Sequence, residues 1–266
     1  MFYLLLFVML NFKVKLRFVM GLWALCSYRR FCSTEVSRNS LCRRCNTRRT
    51  SQNRLTLVAI ILKLNYNKIV DNKESYNKIA KQWAEIRNNM DISSLVINFA
   101  QKVQKEGIIL DIGCGTGLPL TKFLCDLNFS VTGLDFSEKM LEIAKCNPSI
   151  RANFILCDFM DYNTTQKFDG ILAWDSLWHI SKLRQKEIYS KVGQLLKPNG
   201  LFLFTHGNID NEHIDTMMGE QFYYSALSEL DIIDSLNENG MRLENSYKDF
   251  TENGTHRIFV VLARKI

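Results

Sequence analysis

The sequence contains little proline, a moderate amount of glycine and no long uncharged apolar run. Its 266 residues include 3 Pro, 13 Gly and 8 scattered Cys, which excludes a collagen-like repeat, a low-complexity chain and a disulfide-rich miniprotein. The apolar runs at 2–10 and 18–25 are shorter than the roughly 18–20 residues that a transmembrane helix needs. Because 47% of the residues are hydrophobic, we expect a globular, cytoplasmic protein with a full-sized core.

Acidic residues are almost absent from the first quarter of the chain. Residues 1–65 hold 12 Lys or Arg and one acid, Glu35, whereas the whole chain holds 34 Lys or Arg and 27 Asp or Glu. By difference, a segment of net charge +11 precedes a segment, 66–266, of net charge −4. This contrast predicts a basic, disordered or irregular N-terminal extension at 1–65 and a separate domain at 66–266.

The basic extension has several open interpretations. It is rich in Arg and Ser and poor in acid, as organellar transit peptides are, and it could instead be a membrane-proximal anchor, a solvated tail or part of an over-long gene model. Its cysteines at 26, 32, 42 and 45 lack regular spacing and a neighbouring His, so we expect no zinc site. No metal site is predicted elsewhere, and an organelle remains the alternative to the cytoplasm.

Beyond residue 65, short apolar runs alternate with amphipathic segments. Residues 108–112 and 129–134 are typical of strands, and the segment 119–127 between them has apolar residues at helical spacing, namely Leu120, Phe123, Leu124 and Leu127. This order predicts an α/β fold with a parallel sheet and helices on both of its faces.

A glycine-rich loop joins the first predicted strand to the first helix. Asp111 precedes three glycines at alternate positions, Gly113, Gly115 and Gly117, and glycine lets a backbone turn tightly and approach a ligand closely. A phosphate-binding P-loop would continue with Lys and then Ser or Thr, and a dinucleotide fingerprint would have glycine at the position of Leu118. Since Asp111 would repel a pyrophosphate and attract a cation, neither of these two motifs fits.

An acid before Gly-x-Gly-x-Gly resembles the first motif of the class I S-adenosylmethionine-dependent methyltransferases. Later segments resemble the subsequent motifs of that family in order: Asp135 and Asp158 end the second and third strands, 168–174 resembles the fourth strand, and 195–202 resembles the turn into the fifth. The resemblance implies a Rossmann-like, doubly wound, seven-stranded sheet. It also implies an antiparallel C-terminal hairpin, for which Asn-Gly at 253–254 is a turn signal.

The resemblance covers about residues 70–266 and implies S-adenosylmethionine as the cofactor. Asp135 would accept hydrogen bonds from both ribose hydroxyls, Asp158 would accept one from the adenine amino group, and Tyr76 would belong to a lid helix in which Trp83 replaces the second aromatic residue of the family. The predicted cofactor-binding residues are Tyr76, Asp111, Gly113, Cys114, Gly115, Gly117, Asp135, Phe136, Asp158, Phe159 and Trp174.

Methyl transfer requires alignment of the partners and, where needed, removal of a proton. His179 and His206 are the predicted catalytic bases, because imidazole titrates near neutral pH, and structural roles remain the alternative for both. The predicted substrate contacts are Trp178, Tyr223 and Tyr224. Trp174 and Trp178 would share a helix face if a helix began at Asp175. The acceptor pocket is expected beyond the fourth and fifth strands, where the candidates are Trp174, Asp175, Trp178, His179, Thr205 and His206.

The absence of certain motifs narrows the range of possible methyl acceptors. The Asn/Asp-Pro-Pro-Tyr/Phe tetrapeptide of DNA-amino and protein-glutamine methyltransferases does not follow the fourth strand, where residues 174–177 read Trp-Asp-Ser-Leu. The acidic balance of 66–266 also argues against a phosphate-backbone binder. We therefore predict methyl transfer to an N or O nucleophile of a small molecule, with no DNA partner. An RNA methyltransferase that uses residues 1–65, and a non-catalytic cofactor-binding subunit, remain alternatives, and no oligomeric state is predicted.

Overall fold

The computed structural model describes residues 70–266. The predicted basic extension at 1–65, with its cysteine and arginine clusters, therefore lies outside the described residues. Among the helices of residues 70–266, none combines the length and the apolar composition needed to cross a membrane.

Helices and strands alternate along most of the described chain. In chain order the elements are α1 (Asn72–Arg87), α2 (Ser94–Lys102), β1 (Ile108–Ile112), α3 (Leu120–Asp126), β2 (Ser130–Asp135), α4 (Glu138–Cys146), β3 (Asn153–Leu156), β4 (Phe168–Ala173), α5 (Gln185–Leu195), β5 (Leu196–His206), β6 (Asn211–Met217), β7 (Glu220–Ala226), α6 (Glu229–Glu238), β8 (Met241–Glu252) and β9 (Thr255–Lys265). Short 3₁₀ turns lie at Phe159–Asp161, Leu177–His179 and Lys182–Arg184.

Seven of these strands form one sheet in the order β3-β2-β1-β4-β5-β9-β8. The first five run parallel, with Ile109 opposite Gly170 and Asp135 opposite Leu156. The last two strands are antiparallel and are joined at Asn253 and Gly254, whose φ angles of 50° and 72° suit a tight hairpin. The predicted Rossmann-like, seven-stranded sheet with an antiparallel C-terminal hairpin is thus confirmed.

Both faces of the sheet are covered, and β5 shows how the sequence achieves this. Side chains along a strand point alternately to opposite faces. Phe202 and Phe204 belong to the core layer on one face, and Leu201 and Leu203 belong to the layer on the other face. The apolar run at 201–204 within this strand therefore follows from burial on both sides.

The helix that follows the glycine loop is shorter than its apolar spacing suggests. Leu120 and Leu124 are buried as predicted, but α3 ends at Asp126 and Leu127 is 45% exposed. Asn128 adopts a positive φ of 65°, which turns the chain toward β2. The expected inward position of Leu127 is therefore wrong.

Strands β6 and β7 form a separate two-stranded sheet between β5 and α6. The register places Tyr224 opposite His213 and Tyr223 opposite Ile214. The predicted substrate contacts Tyr223 and Tyr224 therefore lie on a hairpin. This hairpin lies at the end of the sheet where β1 and β4 also terminate, since β7 contacts the 3₁₀ turn at Leu177–His179.

Candidate functional site

The glycine loop at the end of β1 depends on conformations that other residues rarely adopt. Gly113, Gly115 and Gly117 have φ values of 74°, 57° and 75°, in the left-handed region that glycine occupies without strain. A Cβ at Gly113 would lie 2.4 Å from the Cβ of Ser176. The Gly113 amide also donates to the Leu134 carbonyl at 2.8 Å, so the loop is fixed to the neighbouring strand.

Two buried carboxylates lie beside this loop. Asp111 accepts a hydrogen bond from the Thr121 hydroxyl at 2.6 Å. Asp135 accepts from the amides of Gly115 at 2.8 Å and Ser137 at 2.7 Å. Burial raises the pKa of each carboxyl to about 6. Because ionised carboxylates are costly to bury, ligand groups that donate hydrogen bonds or carry positive charge would be favoured here.

The carboxylates and the loop enclose a cavity of about 60 Å³. Eight predicted cofactor-binding residues line it, namely Tyr76, Asp111, Gly113, Cys114, Gly115, Asp135, Phe136 and Trp174. Asp158 and Phe159 line an adjoining cavity of about 50 Å³, which shares Gly113, Asp135 and Phe136 with the first. We call these two spaces together the donor cavity.

Gly117 does not line the donor cavity. A Cβ at this position would lie 2.9 Å from Ile150 and 3.1 Å from Phe154. Gly117 was predicted to bind the cofactor. In the structure, packing explains why glycine stands at this position, because the loop passes close to these side chains.

Several residues that line the donor cavity were not predicted from the sequence. Arg87 follows Trp83 by one helical turn on α1, and its guanidinium lies 5.6 Å from the Trp83 ring centre. Thr116, inside the glycine loop, has a buried hydroxyl oxygen without a hydrogen-bond partner in the described part of the chain. Helical i, i+4 spacing from the lid aromatic could have identified Arg87, whereas Ser176 and Met140, which also line the cavity, had no such signal.

Helix α1 covers the donor cavity through Tyr76. The Tyr76 ring lies 4.8 Å from the ring of Phe222 and 5.9 Å from that of Phe136, centre to centre. Its hydroxyl lies 2.8 Å from Nε2 of His179, and burial raises the Tyr76 pKa well above its usual value. Tyr76 therefore connects α1 to both the donor cavity and the β6–β7 hairpin.

His179 is partly buried, and both of its ring nitrogens lie close to protein groups. Nε2 faces the Tyr76 hydroxyl, and Nδ1 lies 3.0 Å from both the carbonyl oxygen of Tyr223 and the side-chain amide of Asn72. Burial lowers its pKa to about 4, so the imidazole is neutral at pH 7. In this arrangement His179 links α1, the 3₁₀ turn and β7, and a general-base role for it stays a prediction.

His206, at the end of β5, is also enclosed. Its Nε2 lies 2.9 Å from Oε1 of Gln185 and its Nδ1 lies 2.9 Å from the Gly207 carbonyl. The Gln185 amide nitrogen donates to the Leu177 carbonyl at 2.9 Å, which orients Oε1 toward the imidazole. Burial lowers the pKa of His206 to about 4. Its predicted role as a base is likewise untested, and the residue does not line the donor cavity.

The two tryptophans after β4 do not share a helix face. Asp175 has a φ of 58°, and its amide donates to the Thr205 hydroxyl at 2.7 Å. This left-handed residue bends the chain, so a 3₁₀ turn at Leu177–His179 stands where the α-helix was expected. Trp174 lies in the core and Trp178 faces a different space.

Trp178 lines a cavity of about 320 Å³ next to the end of β5 and the start of β9. We call this space the hairpin cavity. Its lining includes Trp178, Tyr224, His206, His213, Arg257 and Ile258. Tyr224 stacks on His213 at 5.2 Å between ring centres with an interplanar angle of 12°. Predicted contacts Trp178 and Tyr224 therefore come together here. Tyr223 does not line this cavity, because its hydroxyl donates to Glu212 at 3.0 Å and accepts from the Lys182 amide.

The chain is similar to known methyltransferases in sequence. Residues 109–200 match the model of a methyltransferase domain family. A putative methyltransferase of Geobacillus sp. (strain WCH70) is 36% identical over 114 residues, which are 40% of this chain and 45% of that protein. Malonyl-[acyl-carrier protein] O-methyltransferase 1 of Ilyobacter polytropus is 29% identical over 196 residues, 68% of this chain and 72% of that protein. The chain spans about half the length of several curated relatives that it matches.

A solved structure shows the same fold at low sequence identity. Magnesium protoporphyrin IX methyltransferase from Synechocystis, crystallised with bound S-adenosylmethionine, is 17% identical and superposes with a TM-score of 0.56. The superposition covers 75% of this chain and 97% of that one. At this identity the similarity concerns the arrangement of strands and helices.

Proposed function

We propose that this chain, which carries an S-adenosylmethionine-dependent methyltransferase domain, methylates an N or O nucleophile of a small molecule. The observation that carries this proposal is the pair of cavities at one end of the sheet. The donor cavity lies at the glycine loop, and the hairpin cavity of about 320 Å³ lies beyond β5 and β9. A volume of this size is typical of small-molecule sites.

The residues of the donor cavity fit the proposed occupant. Asp135, at the end of β2, would accept hydrogen bonds from vicinal ribose hydroxyls, which a carboxylate can bind through both oxygens. Asp111 faces the same space and would attract a cationic group. The partnerless hydroxyl of Thr116 offers a further hydrogen bond to a polar ligand group. When bound, the cofactor supplies an electrophilic methyl group on a positively charged sulfur.

The remaining groups would orient the acceptor and exclude water. Trp178 and Tyr224 form aromatic walls of the hairpin cavity, and the lid aromatic Tyr76 closes the donor cavity. His179 is neutral at pH 7 because burial lowers its pKa to about 4, so the Nε2 lone pair is unprotonated and becomes available to the acceptor once Tyr76 moves from it. We propose His179 as the better placed of the two predicted bases, since it lines the donor cavity and His206 does not.

The finer parts of the proposal have indirect support. The printed name of the relative from Ilyobacter polytropus, an O-methyltransferase, agrees with an oxygen nucleophile. Four cysteines of the described region are free thiols (Cys114, Cys125, Cys146 and Cys157), which is typical of a reducing compartment such as the cytoplasm.

The test combines cofactor binding with an acceptor screen. The full chain is incubated with methyl-labelled S-adenosylmethionine and fractionated metabolite extract, and cofactor binding is measured by calorimetry. We expect label transfer to a small molecule, and Asp135→Ala should weaken cofactor binding about 100-fold, since two charge-assisted hydrogen bonds are lost.

Asp126→Ala is the matched control, because this carboxylate is exposed and lies outside the cavity. Equal cofactor affinity of Asp135→Ala and the parent would contradict the assigned role of Asp135. Transfer of label only to RNA, or cofactor binding without any transfer, would overturn the proposed small-molecule reaction.

A further inference from the structure

We propose that the methyl acceptor carries a carboxylate and that Arg257 binds it at the boundary of the hairpin cavity. This inference rests on the proposed function, because it assumes that the hairpin cavity holds the acceptor. The inference adds to the proposed function the charge of the acceptor and the residue that selects for this charge.

Arg257 is an almost completely buried cation with spare hydrogen-bonding capacity. It lies on β9, is 7% exposed and lines the hairpin cavity. Its Nε and Nη2 donate to the two carboxylate oxygens of Asp175 at 2.9 and 2.8 Å. A guanidinium has five N–H donors, and within residues 70–266 no hydrogen-bond partner of Nη1 is found. One edge of the guanidinium is therefore available to a ligand.

Arg257 shares its ion-pair partner with a second arginine. Asp175 also lies 3.6 Å from Nη1 of Arg87, whose side chain is 12% exposed. Within residues 70–266, Asp175 is the one carboxylate within 4 Å of either guanidinium. Glu252 lines a further cavity together with Arg87 and Arg257, and its carboxylate accepts from the Ser94 amide at 3.1 Å. The two guanidinium groups therefore share one direct ion-pair partner, Asp175.

A ligand carboxylate would pair with the free edge of Arg257. Guanidinium and carboxylate form paired, nearly coplanar hydrogen bonds, and Nε and one N–H of Nη2 are already used by Asp175. The unpaired N–H groups at the boundary of the hairpin cavity therefore favour an anionic over a neutral or cationic acceptor.

The walls of the hairpin cavity indicate the rest of the acceptor. Trp178 and the stacked pair Tyr224 and His213 present aromatic faces, and Ile258 adds an apolar side. Flat apolar surfaces of this kind bind planar rings well. The arrangement thus fits a planar, unsaturated carboxylic acid with its carboxylate toward Arg257.

Binding of a matched pair of probes tests the inference on the full chain. The probes are 4-hydroxybenzoate and its neutral analogue 4-hydroxybenzamide, followed by ligand-detected NMR at pH 7.5. We expect the anion to bind about tenfold more tightly, because a charge-assisted hydrogen-bond pair distinguishes the two. Arg257→Gln should remove this preference. Arg264→Gln, which removes another ion-paired arginine of β9, should keep it.

A double variant and a calorimetric control keep the test decisive. If Arg257→Gln does not fold because Asp175 is left unpaired, the double variant Asp175→Asn/Arg257→Gln replaces both charges and should also bind the two probes equally. Equal affinity of the parent for both probes, no binding of either, or a preserved preference in a folded variant without Arg257 would overturn the inference. Calorimetry with S-adenosylmethionine is run on every variant. Intact cofactor binding with methylation of only neutral acceptors would refute this inference and leave the proposed function standing.

Discussion

The donor cavity and the hairpin cavity are built in opposite ways. The glycine loop and the two carboxylates of the donor cavity lie at the ends of β1 and β2, only 24 positions apart between Asp111 and Asp135, while Tyr76 and Trp174 line it from elsewhere in the chain. The hairpin cavity combines Trp178, Tyr224 and Arg257 from three separate segments. A local motif can specify this part of the donor cavity, whereas the hairpin cavity exists only once the sheet has closed around β9. This difference explains why one fold can keep its cofactor and change its acceptor.

The largest expected effect is a loss of stability caused by a substitution in the glycine loop of the donor cavity. Gly113→Ala adds a Cβ that would lie 2.4 Å from that of Ser176, at a φ of 74°. We expect it to lower the free energy of unfolding by about 3–5 kcal/mol, since overpacking adds to backbone strain. Gly219→Ala, in the turn of the hairpin, has a φ of 83° and open space around it, so it should cost only about 1–2 kcal/mol.

Urea denaturation monitored by circular dichroism measures both glycine variants. Equal losses of stability in the two would mean that the close contact with Ser176 relaxes freely, and the contrast between a rigid donor loop and a tolerant hairpin would fail.

Acidification should have the next largest effect, through His179 beside the donor cavity and His206 beside the hairpin cavity. Burial lowers the pKa of His179 and of His206 from 6.5 to about 4. Their contribution to stability is thus present above pH 6.5 and is lost as the pH falls toward 4, by up to about 3 kcal/mol for each histidine. Asp111 and Asp135 act in the opposite direction, because their raised pKa values of about 6 favour folding at lower pH.

Unfolding free energies at pH 7 and pH 4.5 test this balance. The parent should be less stable at pH 4.5, and His206→Gln should lose less stability than the parent over the same interval. A parent chain that gains stability on acidification would show that the two carboxylates outweigh the histidines.

The smallest expected effect is on cofactor affinity at the donor side. Since the pKa of Asp135 is raised to about 6, most of this carboxyl group is protonated at pH 5. S-adenosylmethionine should therefore bind about tenfold more weakly at pH 5 than at pH 7. The Asp135→Asn variant should bind more weakly than the parent at pH 7 and change little with pH. Calorimetric titrations at the two pH values measure this, and an identical pH dependence in both proteins would assign the titration to Asp111 or to another group.

Most of the fold could be predicted from the sequence. The apolar run at 108–112 coincides with β1, and the Asn-Gly signal at 253–254 forms the turn of the C-terminal hairpin. These features depend on short-range properties, namely side-chain alternation, apolar composition and the conformational freedom of glycine. Two exceptions are Leu127, which is exposed, and the segment after β4, where Asp175 has a left-handed conformation and a 3₁₀ turn stands in place of the expected helix.

Only the part of the candidate site that is formed by residues close together in sequence could be predicted. Asp111, Gly113 and Asp135 were found because the loop and the strand ends form a compact motif. Arg87 and Arg257 were not found, because nothing near them in sequence indicates that they meet Asp175, which is 88 and 82 residues away. Likewise, no pattern relates Tyr76 to His179, although the two form a hydrogen bond at 2.8 Å.

The sequence by itself determined the α/β class of the fold and the position of the glycine loop, since the glycines, the acids and the apolar strands act through neighbouring residues. Only the tertiary structure decided which side chains face the hairpin cavity and that Arg257 and Arg87 share one carboxylate. The physical reason is that pairing across β5, β9 and the β6–β7 hairpin joins distant segments, and burial then sets the charge balance and the pKa values of the groups that meet there.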